Sequence, residues 1–189
     1  EMLLMFGYFA MVYWLIQDFG ETAQAGFSIG GRIMQSIFMP TMAIAFAIGP
    51  IAGQNFGAGH GDRVKQTFSK GILLSSIVMV VVTVVLQFHP ELLVAFFTDE
   101  EEVITIGGEF LQIISWNFVA QGIIFTCSGM FQGLGNTKPA MFSSGSRLLI
   151  FVVLAVWASK QEGFTINQVW YVSVLSVAVQ AIISVLLLL

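Results

Sequence analysis

The residues of this sequence that could do chemistry are amides and hydroxyls set within apolar stretches. Four of them recur at spacings that place them on one helical face: Asn117, Gln121, Ser128 and Gln132. A second set repeats the pattern further on: Ser173, Ser176, Gln180 and Ser184. Polar groups among apolar residues must bond to each other or face water. Each stripe therefore predicts either a wet cavity or hydrogen bonds between helices.

Large amides are less common than hydroxyls as simple contacts between helices, so we expect Asn117 and Gln121 to line a cavity that holds a ligand. Ser128 is a further candidate on the same face. For the Ser-rich second set, both interpretations stay open. Gln35 either joins the cavity or supplies an oxygen acceptor to the guanidinium of Arg32, one turn away.

Two arginines lie within apolar stretches, where a guanidinium needs acceptors or an anion. Arg32 is close to one end of its stretch and can extend its charge to the membrane surface. Arg147 stands nine residues beyond Lys138, which is about 13 Å along a helix and near mid-membrane. We expect both to be structural, with Arg147 holding carbonyl oxygens at a helix break. A direct part in transport is the alternative for Arg147.

The elements that carry these residues follow from the composition. Hydrophobic residues make up 57% and charged residues 10%, with a mean hydropathy of +0.88. Soluble domains carry about 25% charged residues, so this is an all-α integral membrane chain. A helix needs roughly 20 apolar residues to cross a bilayer, and cutting at polar clusters predicts six: 2–16, 27–53, 71–88, 110–133, 139–159 and 166–189. The absent initiating Met and the apolar last residue predict a piece of a longer protein.

Several function classes are excluded or disfavoured by the remaining residues. The net charge is −4 and there is no basic tract, which argues against nucleic-acid binding. Cys127 lies in an apolar stretch, and we expect it to be an inert packing residue. His60 and His89 fall on opposite sides of the membrane, so no metal set or catalytic constellation forms, and we expect neither an enzyme nor a cofactor. The acidic run 99–102 is expected to cap a helix, because its consecutive spacing lacks the alternating ligands of a calcium loop.

Loop charges predict the orientation, because Lys and Arg are retained on the cytoplasmic side. The loop at 57–70 carries Arg63, Lys65 and Lys70, and the fourth-to-fifth turn carries Lys138. The alternate loops are acidic at 18–21, 91–102 and 162. Both ends of the chain are therefore expected inside. Pro40 and Pro50 predict that the second helix is not a straight rod.

Two segments carry a resemblance to a known family. Residues 50–59, Pro-Ile-Ala-Gly-Gln-Asn-Phe-Gly-Ala-Gly, lead to Arg63 and a third helix. Residues 131–140, Phe-Gln-Gly-Leu-Gly-Asn-Thr-Lys-Pro-Ala, are followed by Arg147. The chain resembles the multidrug and toxic compound extrusion family (MATE) at both segments, in the same order and topology. The resemblance covers essentially all 189 residues.

That resemblance implies the carboxy-terminal six-helix lobe of a twelve-helix transporter with two lobes around a central cavity. The function it implies is cation-coupled antiport of small amphipathic or cationic organic compounds by alternating access, in a bacterial inner membrane. A flippase of lipid-linked saccharides is the alternative, although its cavity should be more cationic. The motif residues are then structural: Gly53, Gln54, Asn55, Gly57, Gly59, Gly133 and Gly135.

The sequence departs from the family at the coupling-ion positions. Several members bind the ion with acidic residues in the seventh and tenth helices. The aligned positions here fall near Phe6 and on Gln121, and neither side chain takes up a proton at physiological pH. Glu109 is the other acidic candidate, and we expect it at the outer interface. A coupling site for H⁺ or Na⁺ is therefore expected in the missing half.

Overall fold

The computed structural model describes residues 2–188, so Glu1 and Leu189 lie outside it. Within that range the chain consists of helices joined by short connecting segments, without strands, as predicted. Its α-helices are α1 Met2–Ile16, α2 Glu21–Gly57, α3 Gly61–Phe88, α4 Pro90–Ala95, α5 Glu101–Ile114, α6 Phe118–Gly133, α7 Lys138–Ser159 and α8 Ile166–Leu186. Single 3-10 turns at Gln17–Phe19 and Ser115–Asn117 follow α1 and α5.

Five helical stretches are long and apolar enough to cross a membrane: α2, α3, α7, α8 and the continuous stretch Glu101–Gly133 that joins α5 to α6. The shorter apolar stretch Leu3–Phe19 covers α1 from Leu3 onwards, together with the 3-10 turn that follows it. These six stretches correspond to the six predicted segments. The chain is accordingly a multi-pass membrane protein.

Three helices begin well before the apolar segments predicted from the sequence. α2 begins at Glu21 rather than residue 27, α3 at Gly61 rather than 71, and α5 at Glu101 rather than 110. An apolar run predicts only the part of a helix that lies in the hydrocarbon core. The backbone hydrogen bonds of the helix continue beyond it into the polar interface. In the other direction, α8 ends at Leu186, before the predicted end.

Helix α2 runs through Pro40 and Pro50 without interruption over 37 residues. Proline removes one backbone donor, and both prolines lie on exposed faces of the helix. Beside the first of them, the hydroxyl of Thr41 donates to the carbonyl of Phe38 at 2.9 Å. The prolines therefore do not end the helix.

The helices pack around α2, which contacts α3, α5 and α6, while α8 contacts α5, α6 and α7 and α1 lies against α7. Aromatic rings from three helices join these groups: Trp170 stacks on Phe27 at 5.5 Å and meets Phe110 edge-on at 4.7 Å, measured between ring centroids. All three side chains are almost fully buried. This packing fixes α8 against α2 and α5, and so positions the polar stripes of α6 and α8.

Candidate functional site

The polar stripe of α6 passes from a buried to an exposed setting. Asn117 lies in the 3-10 turn before α6 and is 5% exposed, and its Oδ1 is buried without a hydrogen-bond partner among the described residues. Gln121 and Ser128 are half-buried, and Gln132 is exposed. The amide of Gln132 donates to the hydroxyl of Ser128 at 3.3 Å. Because a 3-10 turn has three residues per turn, the α-helical spacing holds only from Phe118 onwards.

Gln121 is bounded by aromatic rings. Phe38 of α2 meets Phe118 at 5.2 Å and Phe125 at 5.8 Å between ring centroids. Those two α6 residues lie three before and four after Gln121, on the same side of the helix. Among the described residues the amide of Gln121 has no hydrogen-bond partner. The side chain therefore has unused donors and acceptors in a partly accessible aromatic setting.

The α8 stripe is buried along its whole length, comprising Ser173, Ser176, Gln180 and Ser184. The hydroxyls of Tyr8 and Ser173 are 2.7 Å apart, and the amide of Gln180 donates to Ser144 at 3.3 Å. These bonds join α8 to α1 and α7. Of the two interpretations left open for the Ser-rich stripe, this geometry favours hydrogen bonding between helices. Gln180 Oε1 still lacks a partner within the described chain.

Arg147 lies against an aromatic face. Its guanidinium carbon is 4.6 Å from the ring centroid of Tyr8, and its Nε is buried without a partner among residues 2–188. Such cation–π contacts stabilise a guanidinium that is partly removed from water. The expectation that Arg147 holds carbonyl oxygens at a helix break is wrong, because α7 is continuous from Lys138 to Ser159.

Sequence reasoning missed Tyr8, which connects Arg147, Phe151 and Ser173. Its ring lies 4.7 Å from that of Phe151, and its hydroxyl reaches Ser173. The sequence indicates this role only weakly, because a tyrosine within an apolar helix is common and its neighbours in the fold are distant in sequence. Tyr8 places an aromatic face and a hydroxyl beside the only arginine of α7.

The remaining candidates lie on the surface of the described chain. Arg32 and Gln35 are exposed, and neither side chain has a hydrogen-bond partner there, so the amide does not serve the guanidinium. Phe6, near the predicted seventh-helix ion position, is 65% exposed. Glu109 is exposed on α5. The predicted cavity roles of Gln35, Asn117, Gln121 and Ser128 stay predictions.

Two of the motif glycines, Gly53 and Gly133, lie where α2 crosses α6. A Cβ on Gly53 would stand 2.7 Å from the carbonyl oxygen of Gly133, and one on Gly133 would overlap the carbonyl of Gly49. A Cβ on Gly129 would overlap the carbonyl of Ala45. Small residues at four-residue spacing let two membrane helices bring their backbones together. Gly57, in contrast, has open space around it.

Both motifs end their helices in the same way. Gly59 and Gly135 have φ of +74° and +75°, which glycine adopts without steric cost. The N–H of His60 donates to the carbonyl of Asn55, and that of Asn136 to Phe131, at 2.8 and 3.0 Å. This is the Schellman arrangement that satisfies the last carbonyls of a helix. Gln54 is exposed, and the Asn55 amide donates to the carbonyl of Ile51 at 2.8 Å.

Charge is divided between the two ends of the bundle. Arg63, Lys65, Lys70 and Lys138 lie at the α2–α3 and α6–α7 ends, whereas Lys160 lies at the opposite end, after α7. Glu101 and Glu102 form the first turn of α5, and the N–H of Glu100 before it donates to Thr98 Oγ1 at 3.2 Å. No group of three His, Cys, Asp or Glu that could hold a metal occurs in residues 2–188.

Surface cavities of about 480 and 550 Å³ lie at α3–α4 and at α2–α3. Neither is lined by the residues predicted to form the substrate cavity: Gln35, Asn117, Gln121 and Ser128.

Comparisons with known proteins agree with this architecture. A family model described as MatE matches residues 1–157. The chain is 29% identical over 141 residues to the probable multidrug resistance protein NorM of Thermotoga maritima, covering 75% of this chain and 29% of that protein. It is 22% identical over 170 residues to the probable multidrug resistance protein YpnP of Bacillus subtilis, covering 90% of this chain and 36% of that one. The chain thus spans about a third of the length of these relatives.

Solved structures share the fold. The outward-facing conformation of a multidrug resistance MATE family transporter of the MOP superfamily matches with a TM-score of 0.87 at 20% identity, over 97% of this chain and 42% of that one. An inward-facing conformation of a transporter described in the same words matches with a TM-score of 0.87 at 15% identity, again over 97% and 42%. The six-helix arrangement corresponds to under half of each of those chains.

Proposed function

The chain belongs to the MatE family, and from this premise we propose that the whole protein is a secondary active exporter of small amphipathic or cationic organic compounds. Residues 1–189 would be its carboxy-terminal lobe, in a bacterial inner membrane. The observation that carries the proposal is the family match over residues 1–157, with relatives named as multidrug resistance proteins. The outward-facing structure that shares this fold is described as a multidrug resistance transporter.

Alternating access by rigid-body rocking fits the packing of this lobe. The outward-facing and inward-facing structures resemble it equally, with TM-scores of 0.87. A lobe that keeps its shape while access changes is expected to move as one body against its partner lobe. The backbone contacts of Gly53 and Gly133 support this, because they leave no free volume for α2 and α6 to slide.

The residues of this lobe that we propose to bind substrate are Asn117, Gln121, Ser128 and Gln35. Neutral amides and hydroxyls bind by hydrogen bonding, and the rings near Gln121 add apolar contact. Amphipathic organic compounds need this combination of many apolar contacts and few polar ones. The coupling ion, H⁺ or Na⁺, would then bind to carboxylates of the other lobe, since Gln121 and Phe6 cannot titrate.

The alternative function, a flippase of lipid-linked saccharides, would need positive charges that bind a pyrophosphate group. Arg147 has a buried Nε without a hydrogen-bond partner among the described residues, and a pyrophosphate could engage it. Arg147 and Arg32 are the arginines that lie within the predicted apolar segments, whereas Arg63 lies in the first turn of α3, before its apolar run. Two guanidiniums on separate helices give a less cationic surface than a pyrophosphate group requires. We therefore favour the exporter.

The deciding experiment uses the whole protein in proteoliposomes with an imposed proton or sodium gradient. We expect efflux of a cationic dye that stops when an ionophore collapses the gradient. Binding of undecaprenyl-linked saccharides without binding or efflux of dyes would overturn the exporter in favour of the flippase.

Orientation is tested separately with single cysteines in a background lacking Cys127. Cysteines at Lys65 and Lys138 should react with impermeant thiol reagents only from the cytoplasm, and one at Glu101 only from outside. Reaction of all three from one side would contradict the predicted topology.

A further inference from the structure

A groove of about 550 Å³ separates α2 from the first turns of α3, on the side of the bundle predicted to be cytoplasmic. Its two ends differ in character. Basic and polar side chains of α3, including Arg63, Gln66 and Lys70, line one end. Ile44, Ile48 and Leu74 line the end nearer the middle of the spans. The groove is therefore amphipathic along the direction in which a lipid lies.

The basic end presents two charges from one face of α3. Arg63 and Lys70 are seven residues apart, which is two turns, or about 10 Å, along a helix. Both are exposed, and neither forms an ion pair within residues 2–188. Asp62, beside them in the sequence, is not among the lining residues. The two cations are therefore available to an external anion.

The apolar end is formed by a close approach of the two helices. Gly71 has no side chain, and a Cβ there would overlap Ile48. Beyond that contact, Leu74 is 51% exposed and Ile44 is half-buried. Lys70 lies directly before the predicted apolar run at 71–88, so its amine is at the edge of the hydrocarbon region. An apolar chain that enters the groove can follow these side chains into the membrane.

We propose that this groove binds one anionic glycerophospholipid of the cytoplasmic leaflet. Its phosphate lies between Arg63 and Lys70, where charge-assisted hydrogen bonds form. One acyl chain lies along Ile48, Ile44 and Leu74. A free phosphate would leave this apolar part without a partner, whereas a zwitterionic lipid would bring a cationic headgroup beside two bases.

The opposite end of α3 provides a comparison. A cavity of similar size, about 480 Å³, lies there between Phe88, His89 and Glu91. It combines apolar walls with a carboxylate and has no Lys or Arg in its lining. Anionic lipid is therefore expected at the α2–α3 groove and not at the α3–α4 cavity.

The test is performed on the full-length protein in nanodiscs of phosphatidylcholine, with spin-labelled phosphatidylglycerol and spin-labelled phosphatidylcholine as probes. We expect a preference for phosphatidylglycerol on the order of 25-fold, since each of the two bases contributes about fivefold. The R63Q/K70Q double variant should lose that preference. Lys65→Gln is the matched control, because it removes one base of the same helix that does not line the groove.

A second variant keeps both charges and fills the apolar part. Ala47 lines the groove and is exposed, so Ala47→Trp should weaken phosphatidylglycerol binding severalfold while thermal unfolding in phosphatidylcholine stays unchanged. Three results would each overturn the proposal: equal retention of both lipids by the unaltered protein, a preserved preference in R63Q/K70Q, or an equal loss in Lys65→Gln. Displacement of the lipid by millimolar inorganic phosphate would also overturn it, in favour of a soluble anion.

Discussion

Two regions of this lobe hold their helices together by opposite means. At the α2–α6 crossing, backbone lies against backbone, and an added carbon on Gly53 or Gly133 would meet a carbonyl oxygen. At the α1–α7–α8 contact, long polar side chains meet, and Arg147 Nε and Gln180 Oε1 have no partner within the described chain. The crossing has no spare volume, whereas the polar contact has spare hydrogen-bonding capacity. The crossing is therefore suited to rigidity, and the polar contact can adapt to a changed environment.

The largest effect is expected at the crossing. Gly133→Ala should destabilise the protein by about 3 kcal/mol, at the upper end of the overpacking range, because a backbone clash cannot be relieved by rotating a side chain. Thermal unfolding of the purified full-length protein and its abundance in membranes measure the loss. Gly57→Ala is the control, since its Cβ enters open space and should be neutral or stabilise by up to about 1 kcal/mol. Equal unfolding temperatures for the two variants would contradict the proposed crossing.

A smaller effect is expected at Gly135, just beyond the crossing on the same polypeptide stretch. A Cβ there meets no neighbour, but φ is +75°. Gly135→Ala should therefore cost about 1 to 2 kcal/mol through backbone strain alone. Gly135→Asn should recover part of the loss in thermal unfolding, because Asn tolerates this conformation better. If Ala and Asn are equally damaging, then contact with another part of the protein limits this position.

At the polar contact the expected effect is smaller again. Tyr8→Phe removes the hydroxyl that meets Ser173 and leaves the ring under Arg147, and should cost about 1 kcal/mol. Ser173→Ala should cost a similar amount. If the two hydroxyls bond to each other, the double variant will lose less than the sum of the single losses. Strict additivity in thermal unfolding would show that the bond is not formed in the membrane.

Features that depend on the composition of whole segments were predictable from the sequence, because hydropathy and charge are read along the chain. The six apolar stretches, the acidic first turn of α5 and the family resemblance all follow from residue types along the chain. The family is confirmed by the match over residues 1–157. Helix ends were less predictable, since α3 continues through the basic residues at 61–70 by backbone bonding that hydropathy does not detect.

Contacts between distant residues could not be predicted. The spacing of Gly129 and Gly133 indicates a close approach, but not that the partner is the segment containing Ala45 and Gly49. Likewise, the need of a buried guanidinium for acceptors predicts that Arg147 contacts carbonyl oxygens. Its neighbour in the structure is instead the ring of Tyr8, 139 positions earlier. Such pairings depend on the packing of whole helices, which no local pattern specifies.

The smallest effect on stability is expected for Gln121→Ala. This variant tests whether an amide without a hydrogen-bond partner in the lobe binds substrate. Gln121 is half-buried without a hydrogen-bond partner among the described residues, so the substitution strands no buried group and should change stability by less than about 0.5 kcal/mol. Efflux of several substrates by the full-length protein should change in preference at normal membrane abundance, because the amide would contact some of them. Gln161→Ala, an exposed amide in the α7–α8 turn, should leave the preference unaltered. Unchanged efflux across the panel in Gln121→Ala, or a stability loss of 1–3 kcal/mol typical of a broken buried bond, would assign Gln121 to helix packing instead.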